Sequence, residues 1–239
     1  MIVKIQSCPN CSSTNIVKNG HTVYGAQRCL CHDCGKTRVI DRKLKANTTN
    51  LIRRSFLERL SLRGISRVFR ISFSTIYLLL NMETQSLANF RESVVPAKSG
   101  DILELDELCS FVGAKANKRW VWVALNRTNR QVVAYVIGDR SSKTFKRLIR
   151  KIPCDYLKCQ SYSDLWKSYR ILLTKGNHKL VTKSSGQTNH IERWNCTLRQ
   201  RVSRYVRKSL AFSKTDKFHH LMTKLFIFNY NLNCHQHFE

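Results

Sequence analysis

The chain has 239 residues, 42 Lys+Arg against 15 Asp+Glu and a formal net charge of +27. A hydrophobic content of 42% supplies a packed core for one moderate domain plus a small one and excludes wholesale disorder. The charge is carried by both halves, 16 basic and 5 acidic side chains in residues 1–98 and 26 and 10 in residues 99–239, as suits a polyanion whose neutralised phosphates release counterions. No signal peptide and no apolar run long enough to span a bilayer is found, which sets aside a membrane protein and leaves a soluble intracellular one.

Five of the ten cysteines fall between positions 8 and 34, a distribution that points to metal rather than to secreted disulfides. Cys8-x-x-Cys11 and Cys31-x-x-Cys34 are separated by 19 residues, and each two-residue spacing lets a tight turn present both thiolates to one tetrahedral Zn²⁺. Gly35 suits a turn with positive φ, and Asn15 to Arg28, with Ile16, Val17 and Tyr24 around Asn19-Gly20, reads as a hairpin. Cys29 and His32 are the competing ligands; a C-x-C spacing fits a shared tetrahedron less well, so Cys29 is taken as an apolar position. Residues 1–46 are therefore expected to be a zinc ribbon with a structural ion, since four thiolates leave no open site.

Residues 47–83 carry apolar side chains at helical spacing: Leu51, Ile52, Phe56, Leu57 and Leu60, then Ile65, Val68 and Phe69, then Ile76 to Leu80. Ser72 to Thr75 supplies hydroxyl caps before the last segment. Three helices with a polar turn predict a helix-turn-helix whose recognition helix covers 74–83, with Ser74, Thr75 and Tyr77 near its start. Arg70 stands where a turn glycine is more usual, and an ordinary three-helix bundle is the competing reading; Arg53, Arg54, Arg63 and Arg67 favour DNA. Residues 84–100 read as a linker.

In residues 101–239, strands are expected at 102–109, 120–125, 132–137, 157–162 and 178–183, with helices at 141–152, after Asp164, and from about Thr188 onward. Strand, strand, strand, helix, strand, helix, strand, helix is the order of a ribonuclease H-like α/β domain with a mixed sheet. The whole chain is thus an α+β multidomain protein. Asp106 lies in the first strand, Asp164 at the end of the fourth and Glu192 on the late helix, and ligands of open α/β sheets bind at strand ends. Carboxylates kept within so basic a chain suit hard divalent cations: three of them can hold two Mg²⁺ ions across an in-line phosphoryl displacement. Glu107, on the opposite face of the strand, is the alternative first acid; Glu104 shares the face of Asp106. Asp155 reads as a turn acid and Asp139 as the partner of Arg140. Ile191, Trp194, Leu198, Val202 and Tyr205 form the buried stripe of the late helix, and Arg193, Arg199, Arg201, Arg204, Arg207 and Lys208 a phosphate track. Trp120, Trp122 and Trp166 are assigned to the core, and the Phe218 to Asn231 helix to the body or to a second protomer.

Asp106-Glu107, Gly113-Ala114-Lys115, Arg119-Trp120, Ser163-Asp164 with Tyr169, and His190-Ile191-Glu192-Arg193-Trp194-Asn195 resemble the transposase of the insertion sequence 1 family. Leu198-Arg199-Gln200 and the Lys208 to Lys214 segment extend the resemblance over nearly the whole chain. It implies a DDE transposase with Asp106, Asp164 and Glu192 as its Mg²⁺ triad, terminal inverted repeats bound by the N-terminal modules, and a prokaryotic, nucleoid-associated, cytoplasmic location. The interval from Asp164 to Glu192 holds 27 residues, slightly more than in the best-known relatives. Double-stranded DNA, both element ends and target, is the expected partner, and pairing two ends implies a homodimer or higher oligomer. Two other readings stand beside this one. A DNA-binding repressor would carry an inactive body. A tyrosine recombinase would use His190 and Arg193 with Tyr205 or Tyr230; a single-strand nuclease built on His235-Gln236-His237 is poorer still.

Overall fold

A computed structural model describes residues 7–8, 10–23, 25–39 and 46–236. Pro9, Tyr24, His237 and residues 40–45 of the expected ribbon lie outside the described residues. The chain divides into two compact units, one of residues 1–56 and 62–79 and one of residues 57–61 and 80–239.

The first unit opens with a three-stranded antiparallel sheet, β1 (Ile16–His21), β2 (Gln27–Cys31) and β3 (Thr37–Val39), in that order. The hairpin turn does not fall at Asn19-Gly20 as expected. Gly20, at φ +64°, sits where the β1–β2 register shifts between Lys18 and His21, and the turn is closed later by Thr22 N–H donating to Ala26 O (2.8 Å). Three helices follow: α1 (Ala46–Leu57), α2 (Leu62–Phe69) and α3 (Phe73–Ser86). Ile52, Phe56, Leu62, Ile65, Ile71 and Ile76 are buried. Leu51 and Val68, expected inside, are exposed, because each lies a step off the stripe that faces the neighbouring helices. Ser72 caps α3, its hydroxyl accepting from Thr75 N–H (3.2 Å). Arg70 takes φ +51°, so the α2–α3 turn uses the left-handed conformation without a glycine.

The second unit is built on a mixed five-stranded sheet: β4 (Ile102–Phe111), β5 (Lys118–Asn126), β6 (Val132–Gly138), β7 (Gln160–Ser163) and β8 (His178–Leu180), ordered β6-β5-β4-β7-β8. β4, β5 and β6 are antiparallel; β7 and β8 add parallel to β4. The fourth strand starts later than expected because Tyr156–Lys158 forms a 3-10 turn, and the segment after Asp164 is a 3-10 helix (Lys167–Lys175) rather than an α-helix. On one face, α4 (Ser142–Lys151) and the 3-10 segment enclose Leu103, Leu105, Trp122, Phe145, Leu148 and Tyr169. α5 (Asn189–Arg201) and α6 (Asp216–Gln236) complete the unit; Trp194 of α5 packs against Phe226 (6.3 Å) and Tyr230 (6.1 Å) of α6. Strands covered on both faces read as the near-continuous apolar runs seen in β5 and β6.

The segment before β4 is tied down by side chains. Gln131 accepts from Val95 N–H (3.0 Å) and donates to Ser93 O (2.7 Å), and Asp155 accepts from Ala97 N–H (2.6 Å). Asn231 of α6 pairs with both backbone groups of Val132, at 3.0 and 2.9 Å, so an amide side chain satisfies the edge strand β6.

Candidate active site and thiolate cluster

Each cysteine knuckle uses the same local geometry. Ser12 N–H donates to Cys8 O (2.7 Å) and Gly35 N–H to Cys31 O (2.9 Å), and both donors sit at positive φ, +59° and +66°. The turns aim Cys8, Cys11, Cys31 and Cys34 inward until their four sulfurs lie within 4.8 Å of one another. Cys8 to Cys34 is 3.8 Å and Cys11 to Cys31 3.6 Å. A tetrahedron with Zn–S bonds of about 2.3 Å has edges of about 3.8 Å, so the cluster has the size of a zinc site. The Asn10 N–H lies 3.4 Å from the Cys8 sulfur, a backbone donor aimed at one of the four candidate ligand atoms. Cys29 stays outside the cluster, buried in β2 as an apolar residue.

In the second unit, period-two alternation splits the acids of β4 between the two faces of the sheet. Asp106 points toward α5, as does Glu104. Glu107 points the other way, where it accepts from Tyr169 OH (2.5 Å) and from Arg140 Nη2 (2.5 Å) and Nε (2.8 Å). Asp164 follows β7 directly and accepts from Trp166 N–H (2.9 Å), which turns the chain away from the strand end. Glu192 lies in the first turn of α5. Asp106, Asp164 and Glu192 all line one cavity of about 300 Å³, with Glu107, Arg140, Lys183, Asn195, Arg199 and Arg207 also on its walls. Among the described residues, the thiols are the one group of three or more ligand-type side chains whose donor atoms all fall within 4.8 Å, so the three carboxylates are more widely spread than the sulfurs.

Burial, reinforced by the neighbouring charges of Glu107, Asp164 and Glu192, pushes the Asp106 carboxyl up to about 7. Asn195, one helical turn beyond Glu192, donates to Asp106 Oδ2 (2.7 Å), while its own buried Oδ1 has no partner. Arg140 lies over the Trp120 ring at 4.4 Å and the Trp166 ring at 3.8 Å. Trp122 is core as expected; Trp120 and Trp166 are half-buried, pack against that core and flank the guanidinium. Asp139 is not its partner: it accepts from the hydroxyls of Ser141 (2.6 Å) and Thr144 at the start of α4, while the Glu107 carboxylate offers Arg140 a buried, better-placed acceptor.

The expected phosphate track divides. Arg199 and Arg207 reach the cavity, and Arg193 and Lys208 are exposed. Arg201 pairs with Glu58, and Arg204 donates to Ala211 O (2.9 Å) and Phe212 O (3.1 Å). α5 ends at Arg201, so Arg204, Arg207 and Lys208 lie beyond it. In the first unit Ser74 is exposed, Tyr77 half-buried, and Thr75 shares a hydrogen bond with Ser72 (2.7 Å). Tyr205 and Tyr230 do not line the cavity; burial raises both phenols, and the Tyr205 hydroxyl is held by Thr223 (2.5 Å). Among the described residues no helix is long and apolar enough to cross a membrane.

Sequence reasoning had no role for Glu104 or Lys183, and it left Asn195, with His190 and Arg199, between orienting phosphate or water and a plain helix-surface position; the amide instead holds Asp106. The recurrence of Glu192 and Asn195 at i and i+3 on one helix face was the available signal for that contact.

Residues 101–233 match the family described as IS1 transposase. Insertion element iso-IS1n protein InsB of Shigella dysenteriae is 38% identical over 126 residues, 53% of this chain and 93% of its own. Insertion element IS1 4 protein InsB of Escherichia coli K12 is 39% identical over 117 residues (48% and 67%), and Insertion element IS1 protein InsB of Shigella flexneri 39% over 116 (48% and 86%). A chain in the cryo-EM structure of a simian T-cell lymphotropic virus intasome with PP2A regulatory subunit B56 gamma aligns over 75% of this chain and 67% of that one, with TM-score 0.37 and 11% identity, a likeness too low to bear on the site.

Proposed function

Because the chain belongs to the IS1 transposase family, we propose that it cuts DNA at the ends of an insertion element and joins the freed ends to target DNA, using Asp106, Asp164 and Glu192 as a Mg²⁺-binding triad. One observation carries this reading: carboxylates from β4, the end of β7 and α5 line one cavity, where the Asp106 carboxyl is pushed up to about 7. We read the body, residues 101–239, as ribonuclease H-like, on the strength of three antiparallel strands followed by two parallel ones in the order β6-β5-β4-β7-β8. Residues 1–46 are the zinc ribbon and 47–83 the helix-turn-helix that together read the inverted repeats, through Ser74, Thr75 and Tyr77, with 84–100 joining them to the body.

The donor set fits magnesium. Carboxylate oxygens are hard ligands, and the orphaned Asn195 Oδ1 is one more oxygen in need of a partner. Carboxylates too spread for one ion suit a pair spaced by about 3.5–4 Å. When bound, such a pair supplies Lewis acidity to the attacking and leaving oxygens of an in-line displacement. The protein's part is positioning. Asn195 fixes the rotamer of Asp106, and Arg199, Arg207 and Lys183 line the cavity where phosphates would lie. Water then attacks the phosphodiester at the element end, breaking the P–O3′ bond, and the freed 3′-hydroxyl attacks a target phosphorus in turn, breaking the P–O3′ bond there and releasing a target 3′-hydroxyl. No covalent protein–DNA bond forms. The partner is double-stranded DNA in the bacterial cytoplasm, and two ends are held by a homodimer or larger assembly.

The test is a labelled-end cleavage assay in Mg²⁺ and in EDTA with Asp164→Asn alongside. Metal-dependent nicking lost in the variant, with end binding retained, supports the reading and separates it from a repressor. Nicking that survives in Asp164→Asn, or an adduct to Tyr205 or Tyr230, refutes it.

A further inference from the structure

A helix leaves its first backbone N–H groups without intrahelical acceptors, and a side chain just before it usually supplies one. α5 does not follow that pattern: Thr188, its N-cap residue, makes no side-chain cap bond. The acceptor comes from the sheet. Glu104, fully buried in β4, accepts from His190 N–H (3.0 Å) and Ile191 N–H (2.9 Å) through Oε2. Its Oε1 accepts from Arg127 Nε (2.7 Å). Arg127 in turn grips the approach to the helix, donating to Gln187 Oε1 (3.0 Å) and Gln187 O (2.6 Å), and lies over the Tyr162 ring at 5.0 Å.

Two rigid steps connect this clasp to the triad. Asp106 is two residues from Glu104 on the same face of β4, and Glu192 is the residue after Ile191 in α5. A second rung, Asn195 to Asp106 (2.7 Å), joins the same two elements one turn further along. Glu192 is therefore bracketed between two strand-to-helix bonds, both anchored in the strand that carries Asp106. A negative charge at a helix N-terminus is favourable, but a fully buried carboxylate is costly unless every partner is in place. A local serine, threonine or aspartate would cap α5 without burying a charge, as Ser141 does for α4 by accepting from Thr144 N–H (3.4 Å).

We infer that Glu104, backed by Arg127, is a positioning residue that fixes the start of α5 relative to β4 and so sets the spacing of Asp106 and Glu192 for their cations. This rests on the triad assignment above.

Mn²⁺ serves as the probe, its binding to the full chain followed by electron paramagnetic resonance of the free ion, together with hydrogen exchange of the α5 amides. Glu104→Gln keeps the shape but surrenders the charge and one acceptor oxygen; Arg127→Lys keeps the charge and loses the fork. Leu148→Ala, in the core on the other face of the sheet, controls for general loss of stability. Both clasp variants should bind Mn²⁺ at least tenfold more weakly, with faster exchange at His190 and Ile191, while Leu148→Ala melts earlier and binds Mn²⁺ as the parent does. Should Glu104→Gln fail to fold, Arg127→Lys alone carries the comparison. Parent-like Mn²⁺ affinity in the clasp variants, or an equal loss in Leu148→Ala, overturns the inference. A parent protein that binds no more Mn²⁺ than Asp106→Asn would instead remove the triad assignment itself, a pattern unlike either of these.

Discussion

Replacing Asp106 by Asn should stabilise the metal-free protein while abolishing its activity. Burial and three nearby acids raise this carboxyl from its ordinary 3.8 to about 7. At about 1.4 kcal/mol per unit, holding it ionised costs the fold roughly 4 kcal/mol, and partial exposure of the side chain trims that to about 2 kcal/mol. The sign follows from the raised folded value. The contribution of Asp106 to stability is fully present below pH 3.8 and is lost as pH rises through 7, so relief by the amide is largest at pH 8 and absent near pH 3.5. For a unit of this size about 2 kcal/mol corresponds to a rise in Tm of roughly 4–8 °C. Thermal melts of parent and Asp106→Asn at pH 8 in EDTA, then in Mg²⁺, measure it. The gain should shrink or reverse with Mg²⁺, because only the parent then has its charge compensated. A variant that melts at or below the parent in EDTA would refute the idea that repulsion is stored at this position.

Three further outcomes are expected. With the four thiols as ligands of one Zn²⁺, as proposed, Cys31→Ser should release that ion to a colorimetric dye and abolish end binding, while the second unit keeps its far-ultraviolet dichroism; a metal content unchanged from the parent would contradict the four-thiolate site. Burial pushes the His178 imidazole from 6.5 down to about 4 between Ser161 and Ser163, so the neutral ring's contribution is present above pH 6.5 and disappears as pH falls toward 4. Comparison of the parent with His178→Gln, in which the opposing titration of Glu107 and the parallel one of His219 cancel, should therefore show a urea-midpoint difference that shrinks across that window as pH falls, by up to about 3 kcal/mol from this ring; a pH-independent difference would count against it. Arg70→Gly should stabilise the three-helix segment α1–α3 by roughly 0.5–1 kcal/mol, since glycine adopts φ +51° without side-chain cost, and a chemical melt that shows destabilisation would mean the arginine has contacts of its own.

The parts that were legible in the sequence are those governed by short-range patterns. Two-residue cysteine spacings, the alternation along β4 that separates Asp106 from Glu107, and the i, i+3, i+4 stripe of Ile191, Trp194 and Leu198 each depend on local geometry alone. What escaped is what the fold joins across distance. Glu104 reads as an ordinary strand acid until a helix start 86 residues later donates two amides to it. Arg140 sits next to Asp139 in sequence, yet its acceptor lies on β4 and its flanking rings come from β5 and from the chain after Asp164. The Asn19-Gly20 pair misplaced a turn because a left-handed residue also serves a bulge. Leu51 and Val68 satisfied helical spacing but lie at the margin of the buried stripe, where periodicity does not fix the side.

The central claim is that carboxylates from β4, β7 and α5 share a pair of cations. Anomalous scattering from crystals soaked in Mn²⁺ measures this directly. The account predicts two peaks about 3.5–4 Å apart, bounded by Asp106, Asp164 and Glu192, both absent from Asp106→Asn crystals. A cavity without anomalous density at saturating Mn²⁺, or density that persists in the variant, would contradict it.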